Sequence, residues 1–154
     1  TCALPISMNF GMGEHQARQT AEELMDRIQL PRTALDRYPH QFSGGQRQRL
    51  AIARAVACQP QVLVADEAVS ALDVSVQAQI LALLREIQAD LGLGILFITH
   101  DLRVAAQLCD RVIVMSQGEI VEQGPTSQVF QQPAHDYTRR LLAAAPRAEL
   151  ARRA

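Results

Sequence analysis

Two short apolar runs, Val62-Leu63-Val64-Ala65 and Ile95-Leu96-Phe97-Ile98, each end on polar residues and flank one long amphipathic pattern. Runs of four apolar residues are too short for helices and suit strands buried on both faces. Two strands separated by a helix, with no tight turn joining them, form a strand–crossover–strand unit whose strands run parallel. The fold class that follows is α/β. Such a unit places whatever succeeds each strand at the carboxyl edge of an open sheet, where ligands collect. Asp66-Glu67 follow the first run and Thr99-His100-Asp101 the second.

The pattern between the strands is a helix capped by Asp73, with a core face of Val76, Ile80, Leu83, Leu84, Ile87 and Leu91, and ended by Gly92 and Gly94. Upstream, Ala17, Ala21, Leu24, Met25 and Ile28 fall at helical spacing over residues 14–28, and Pro31 and the polar stretch through Arg37 break the pattern. Ser43-Gly44-Gly45-Gln46 has the S-x-x-Q spacing of a capping box and opens a second helix. Its apolar side is Leu50, Ile52, Ala53, Val56 and Ala57, with Arg47, Arg49 and Arg54 elsewhere on it; Gln59-Pro60 ends it. Downstream, Leu102, Ala105, Ala106 and Cys109 share one helix face. Val112–Met115 and Glu119–Glu122 form a hairpin across Ser116-Gln117-Gly118, and the remainder through Ala145 reads as helical.

Nearly half the chain is apolar (48%), a fifth is charged and the formal net charge is −1, so charge alone singles out no nucleic-acid partner. No apolar run approaches the ~18–20 residues that span a bilayer, so any membrane link runs through another protein. The N-terminal residues lack the basic-then-apolar pattern of a secretory signal. Cys2, Cys58 and Cys109 are odd in number and without metal-like spacing. Cys58 and Cys109 are expected to act as small buried hydrophobes, which suits a reducing cytosol. Thr1–Ser7 matches no neighbouring element and resembles an adapter-derived scar, so it is set apart from the fold.

Taken one at a time, the polar groups admit two readings each. Ser43-Gly44-Gly45-Gln46 is either a simple capped helix or a phosphate cradle, because two glycines leave helix-start N–H groups uncovered beside the positive end of the dipole. Asp66-Glu67 are either ordinary acids after a buried strand or a pair in which one carboxylate holds Mg²⁺ and the next reaches a water. His100 either caps the helix beginning at Asp101 or touches a γ-phosphate.

Their order narrows the choice. Tyr38 to Gln46 (YPHQFSGGQ) resembles the signature region of the ABC ATPase family, Val62 to Glu67 its Walker B strand, Ser70-Ala71-Leu72-Asp73 its D-loop, and His100 its switch histidine. The resemblance covers roughly Met8 to Pro146. Asp66 through Gln79, Glu122-Gln123-Gly124 and Pro133-Ala134-His135-Asp136-Tyr137-Thr138-Arg139 are similar to the ATPase subunits of oligopeptide and dipeptide importers. Many members of that subfamily carry a longer, cysteine-containing tail after this point.

The resemblance implies a partial P-loop NTPase core with the ABC helical subdomain and a C-terminal extension. It divides the chain into 8–60 (helical subdomain and signature helix), 61–124 (C-terminal half of the ATPase core) and 125–154 (helical extension), after a scar over 1–7. It implies ATP and Mg²⁺ as cofactors and a pair of ATPase subunits that sandwich two ATP molecules. Ser43, Gly44 and Gly45 would grip the γ-phosphate of ATP bound to the partner, with Gln46 supporting the helix start. Asp66 would position Mg²⁺, Glu67 would act as general base, and His100 would contact the γ-phosphate and hold the geometry between water and Glu67. The D-loop residues Ser70, Ala71, Leu72 and Asp73 would face the partner. Transmembrane permease subunits and, indirectly, a solute-binding protein complete the implied assembly, at the cytoplasmic face of the plasma membrane. Two other classes compete: a soluble ABC-type ATPase acting on nucleic acid or ribosomes, and a non-catalytic protein lending its signature helix. The first often carries insertions between the signature and Walker B regions, whereas Gln46 and Asp66 here lie 20 positions apart.

No G-x-x-x-x-G-K-[ST] sequence occurs in the 154 residues, which contain no lysine. The chain is therefore expected to be a fragment inactive by itself. In the family fold the phosphate-loop strand lies between the strand leading to His100 and the strand at Val112, so both neighbours are expected to show unpaired edges and bare apolar faces. The purified 154-residue chain should melt broadly and aggregate on heating; a sharp cooperative calorimetric transition of the monomer contradicts that expectation.

Overall fold

The periodicities above resolve into a computed structural model that describes residues 13–144, and Thr1–Ser7, Cys2, Ala145 and the basic tail lie outside them. The chain separates into two compact units, residues 1–96 and 97–154. In the first, α1 (Glu14–Arg27) is followed by 3-10 turns at Arg32–Asp36 and Pro39–Gln41, then α2 (Gly44–Ala57), β1 (Val62–Asp66), α3 (Val74–Leu91) and β2 (Gly94–Ile98), whose last two residues fall in the second unit. The second continues with α4 (Leu102–Leu108), β3 (Arg111–Ser116), β4 (Glu119–Pro125), α5 (Thr126–Gln131) and α6 (Asp136–Ala144).

β1 pairs with β2, and the Gly94 N–H donates to the Gln61 carbonyl at 2.9 Å. That bond joins the starting ends of both strands, so they run parallel with α3 as the crossover. α1 packs on α2 and α2 on α3. Ile80, Leu83, Leu84 and Ile87 of α3 and Ala17, Ala21, Met25 and Ile28 of the first helical segment are the buried core. Gly92, in the left-handed conformation at φ 62°, ends α3.

Several expectations need correction. β1 is buried on one face only, with Leu63 and Ala65 inside and Val62 and Val64 about 60% exposed. β2 is half-buried on one face at Ile95 and Phe97, with Leu96 and Ile98 about half exposed. Side chains alternate along a strand, and among the described residues no layer covers the outer face. Leu91 is exposed because it is the last residue before the turn at Gly92. Cys58 is exposed and Cys109 half-buried, since each sits at a helix C-cap and not on a packed face. On α4 the buried residue is Val104, with the predicted Leu102, Ala105, Ala106 and Cys109 half-buried around it.

In the second unit, β3 and β4 pair antiparallel through a two-residue turn, Gln117-Gly118, both with positive φ as a right-twisted hairpin requires. A register shift beside Val114 leaves Val121 as a bulge. The Thr126 hydroxyl and N–H, donating to the Cys109 and Asp110 carbonyls, tie the start of α5 to the end of α4. The Glu122 carboxylate accepts from the Ala134 and His135 N–H groups and so holds the approach to α6. The Thr138 hydroxyl first, and those two N–H groups next, keep that carboxyl below the usual range.

Arg49 is the largest departure. Its sequence reading placed it away from the apolar side, yet it is only 9% exposed. Its guanidinium donates to the Ile28 carbonyl (2.9 Å), Gln29 Oε1 (2.9 Å) and Gln79 Oε1 (3.2 Å). Ile28 caps the C-terminus of α1, so the cation also meets the negative end of that helix dipole. A buried charge among neutral acceptors is tolerable only when its donors are spent. Arg49→Ala should cost about 2 kcal/mol locally, which is ~30-fold faster hydrogen exchange at the protected amides between α1 and α2. Unchanged exchange there contradicts the role.

Candidate functional site

The start of α2 is built by Ser43. Its hydroxyl accepts from the Gln46 N–H at 3.3 Å, and Gln46 Oε1 accepts from the Ser43 N–H at 3.0 Å, completing the predicted capping box. The cap satisfies Gln46 and leaves the Gly44 and Gly45 N–H groups without intrahelical acceptors. No acidic residue lies in this first turn. A helix start with open N–H groups and no nearby carboxylate on its own turn is an arrangement suited to an anion.

This turn rests on the start of α3. A Cβ built on Gly44 would lie 3.5 Å from Leu72 Cδ2, an ordinary contact. One built on Gly45 would lie 2.4 Å from Val76 Cγ1. The Ser70–Asp73 turn and the Ser43–Gln46 turn are therefore neighbours within one unit, a contact that no sequence spacing announced. Asp73 caps α3: its carboxylate accepts from the Val76 N–H and the Ser75 hydroxyl, each at 3.0 Å.

Asp66 and Glu67 emerge, exposed, at the carboxyl end of β1, as predicted. Glu67 has φ 45°, the left-handed region that a residue with a Cβ visits at a cost of roughly 1–2 kcal/mol. The Ser70 N–H (3.1 Å) and hydroxyl (3.0 Å) both donate to its carbonyl and hold the turn. Strain of this kind gathers at functional positions because the surroundings must be built to maintain it. Among the described residues no group of three or more His, Cys, Asp or Glu could hold a metal ion. An exposed carboxylate such as Asp66 fits the one- or two-carboxylate, water-rich binding that Mg²⁺ uses.

His100 is exposed in the second unit, between the end of β2 and α4. It does not cap the helix. Asp101 does, accepting from the Arg103 N–H at 2.9 Å, and the Arg103 side chain holds the Asp101 carboxyl below its ordinary range. The structure thus brings Ser43–Gln46 and Ser70–Asp73 together in one unit, puts Asp66 at the end of β1 and Glu67 in the turn that follows it, and places His100 in the other unit.

Two family models match the chain: ABC transporter over residues 5–70, and the C-terminal region of oligopeptide/dipeptide transporters over residues 121–154. The glutathione import ATP-binding protein GsiA of Escherichia coli strain K12 is 49% identical over 143 residues, 92% of this chain and 23% of that protein. Its counterpart from Salmonella paratyphi A is 48% identical over the same shares. The solved structure of cbiO1 from Clostridium perfringens, part of the ABC transporter complex cbiONQ, superimposes with a TM-score of 0.76 at 31% identity, over 85% of this chain and 51% of that one. The chain therefore spans about a quarter of the length of the curated relatives.

The Asp73 cap gives a pH signature. The Val76 N–H first, and the Ser75 hydroxyl second, hold its carboxyl below the ordinary carboxylate range. A lowered folded-state pKa stabilises the fold above the unfolded value of about 3.9, and the contribution is lost as pH falls through the lower folded value. The Val76 amide resonance should titrate with a midpoint below about 3.9, and Asp73→Asn should abolish the titration while keeping the cap. A midpoint at or above the ordinary value contradicts this.

Proposed function

We propose that this chain belongs to the ABC transporter family as part of an ATP-binding subunit, and that it serves the ATP hydrolysis driving import of glutathione, peptides or similar solutes. The two family models and the 49% identity to a glutathione import ATP-binding protein support the reading. The observation that carries the reading is the capped α2 start, with the Gly44 and Gly45 N–H groups open and the turn seated against Leu72 and Val76 of the D-loop segment. Such a surface suits a γ-phosphate presented by ATP on a second subunit, and Ser43, Gly44 and Gly45 are assigned to it. Gln46 holds the helix start, and Ser70–Asp73 face the partner.

Glu67 is assigned as the base toward the attacking water. Its backbone, at the strand end, sits in a turn fastened by Ser70, which supports that assignment. Asp66 is assigned to Mg²⁺, which when bound neutralises phosphate charge as it develops. His100 is assigned to the γ-phosphate. Phosphoryl transfer of this kind depends mainly on positioning and charge stabilisation, so rigidly held turns suffice for most of the protein's part.

No helix among the described residues is long and apolar enough to cross a membrane. Coupling to transport is assigned, by likeness to part of an ABC transporter complex, to separate permease subunits at the cytoplasmic face of the membrane, with a solute-binding protein acting through them. The proposed division of the chain keeps residues 8–60 as the signature-bearing part, 61–124 as part of the ATPase core and 125–154 as an extension.

In the complete subunit, Glu67→Gln should retain ATP binding and lose hydrolysis by ~10²–10⁴-fold, the usual cost of removing a general base. Equilibrium nucleotide binding and steady-state ATPase check this together. Near-normal turnover removes Glu67 from the role.

A further inference from the structure

Residue 45 has no conformational need to be glycine. Among the described residues the glycines with positive φ are Gly92 and Gly118, and Gly45 is the second residue of an ordinary helix. Alanine is the better helix former, so intrinsic propensity favours replacing it. What forbids a side chain is the 2.4 Å approach of Val76 Cγ1 to the position its Cβ would take, with Val76 Cβ at 3.8 Å and Cγ2 at 3.9 Å. Val76 cannot readily turn aside, because a β-branched residue in a helix is held to one χ1 well. Gly44, at 3.5 Å from Leu72 Cδ2, has ordinary room.

We infer that position 45 is glycine on account of Val76 in the same chain, and that Val76 is a positioning residue for the phosphate-facing turn. The inference rests on the reading above, in which that turn meets phosphate. A second contact supports it. Arg49, one turn beyond Gly45 on α2, donates to Gln79, one turn beyond Val76 on α3. Two contacts one helical turn apart fix the rotation of α2 about its own axis as well as its distance from α3. The direction in which the Gly44 and Gly45 N–H groups point is then set by the helix that the D-loop residue Asp73 caps.

The test is a double-mutant cycle in the complete, assembled subunit: wild type, Gly45→Ala, Val76→Ala and the pair. Steady-state ATPase and hydrogen exchange in the first turns of α2 are both read. Gly45→Ala should lower kcat roughly 100-fold, the scale of a displaced catalytic arrangement. Placed on the Val76→Ala background, where Cγ1 is gone, the same change should cost less than about threefold, and exchange should be restored in parallel. If Gly45→Ala does not fold alone, recovery of folding and turnover in the pair is the same coupling and supports the inference. An equal loss on both backgrounds overturns it: the phosphate then requires the glycine directly, and the reading of the turn survives. Coupling in exchange with no ATPase effect in any variant overturns both the phosphate reading and the positioning role.

Discussion

Helix α2 can lie as close to α3 as it does only because residue 45 carries no side chain where Val76 stands. Close backbone approach of this kind is the structural use of glycine in a helix, and it offsets the propensity lost there. The seat it creates is short: one turn of α2 against one turn of α3, fastened a turn further on by Arg49 and Gln79. From it follow the direction of the open Gly44 and Gly45 N–H groups and the placement of the Ser70–Asp73 turn beside them.

Arg49 extends the same seat to α1. A guanidinium presents several donors in a planar fork, so one buried side chain reaches a helix C-cap carbonyl and two side-chain amides at once. A lysine, as a point charge on a flexible stem, would not match that set. Beside this rigid seat stands a strained element: Glu67, held at positive φ by a doubly bonded carbonyl. The stable packing of α2 on α3 and the strained end of β1 are joined by only a few residues, which supports the proposed assignment of Glu67 as a base.

Much of this was legible in the residues because it is local. Strand–helix–strand order followed from two apolar runs and the pattern between them, and the Ser43 capping box, the Asp73 cap and the Gly92 terminus follow from spacing alone. What was not legible is tertiary. Arg49 lies at helical spacing from Ile52, Ala53 and Val56, so periodicity marked its burial, but its charge argued the opposite. The Gly45–Val76 contact joins residues 31 positions apart, and Glu122 caps the approach to α6 from a dozen residues upstream. The outer faces of β1 and β2 read as buried from composition, because an apolar run does not say which of its two faces has a cover.

The central claim is that the Ser43 turn serves a phosphate held by another subunit while Glu67 serves its own. Co-assembly of two complete subunits decides it, one carrying Ser43→Arg and the other Glu67→Gln, with ATPase measured for each alone and for the mixture. Service in trans predicts that the mixed assembly contains one site with an intact turn and an intact base, and regains hydrolysis that neither variant shows alone. A mixture as inactive as its components would place the turn and the base in the same subunit's site, and the account would be wrong.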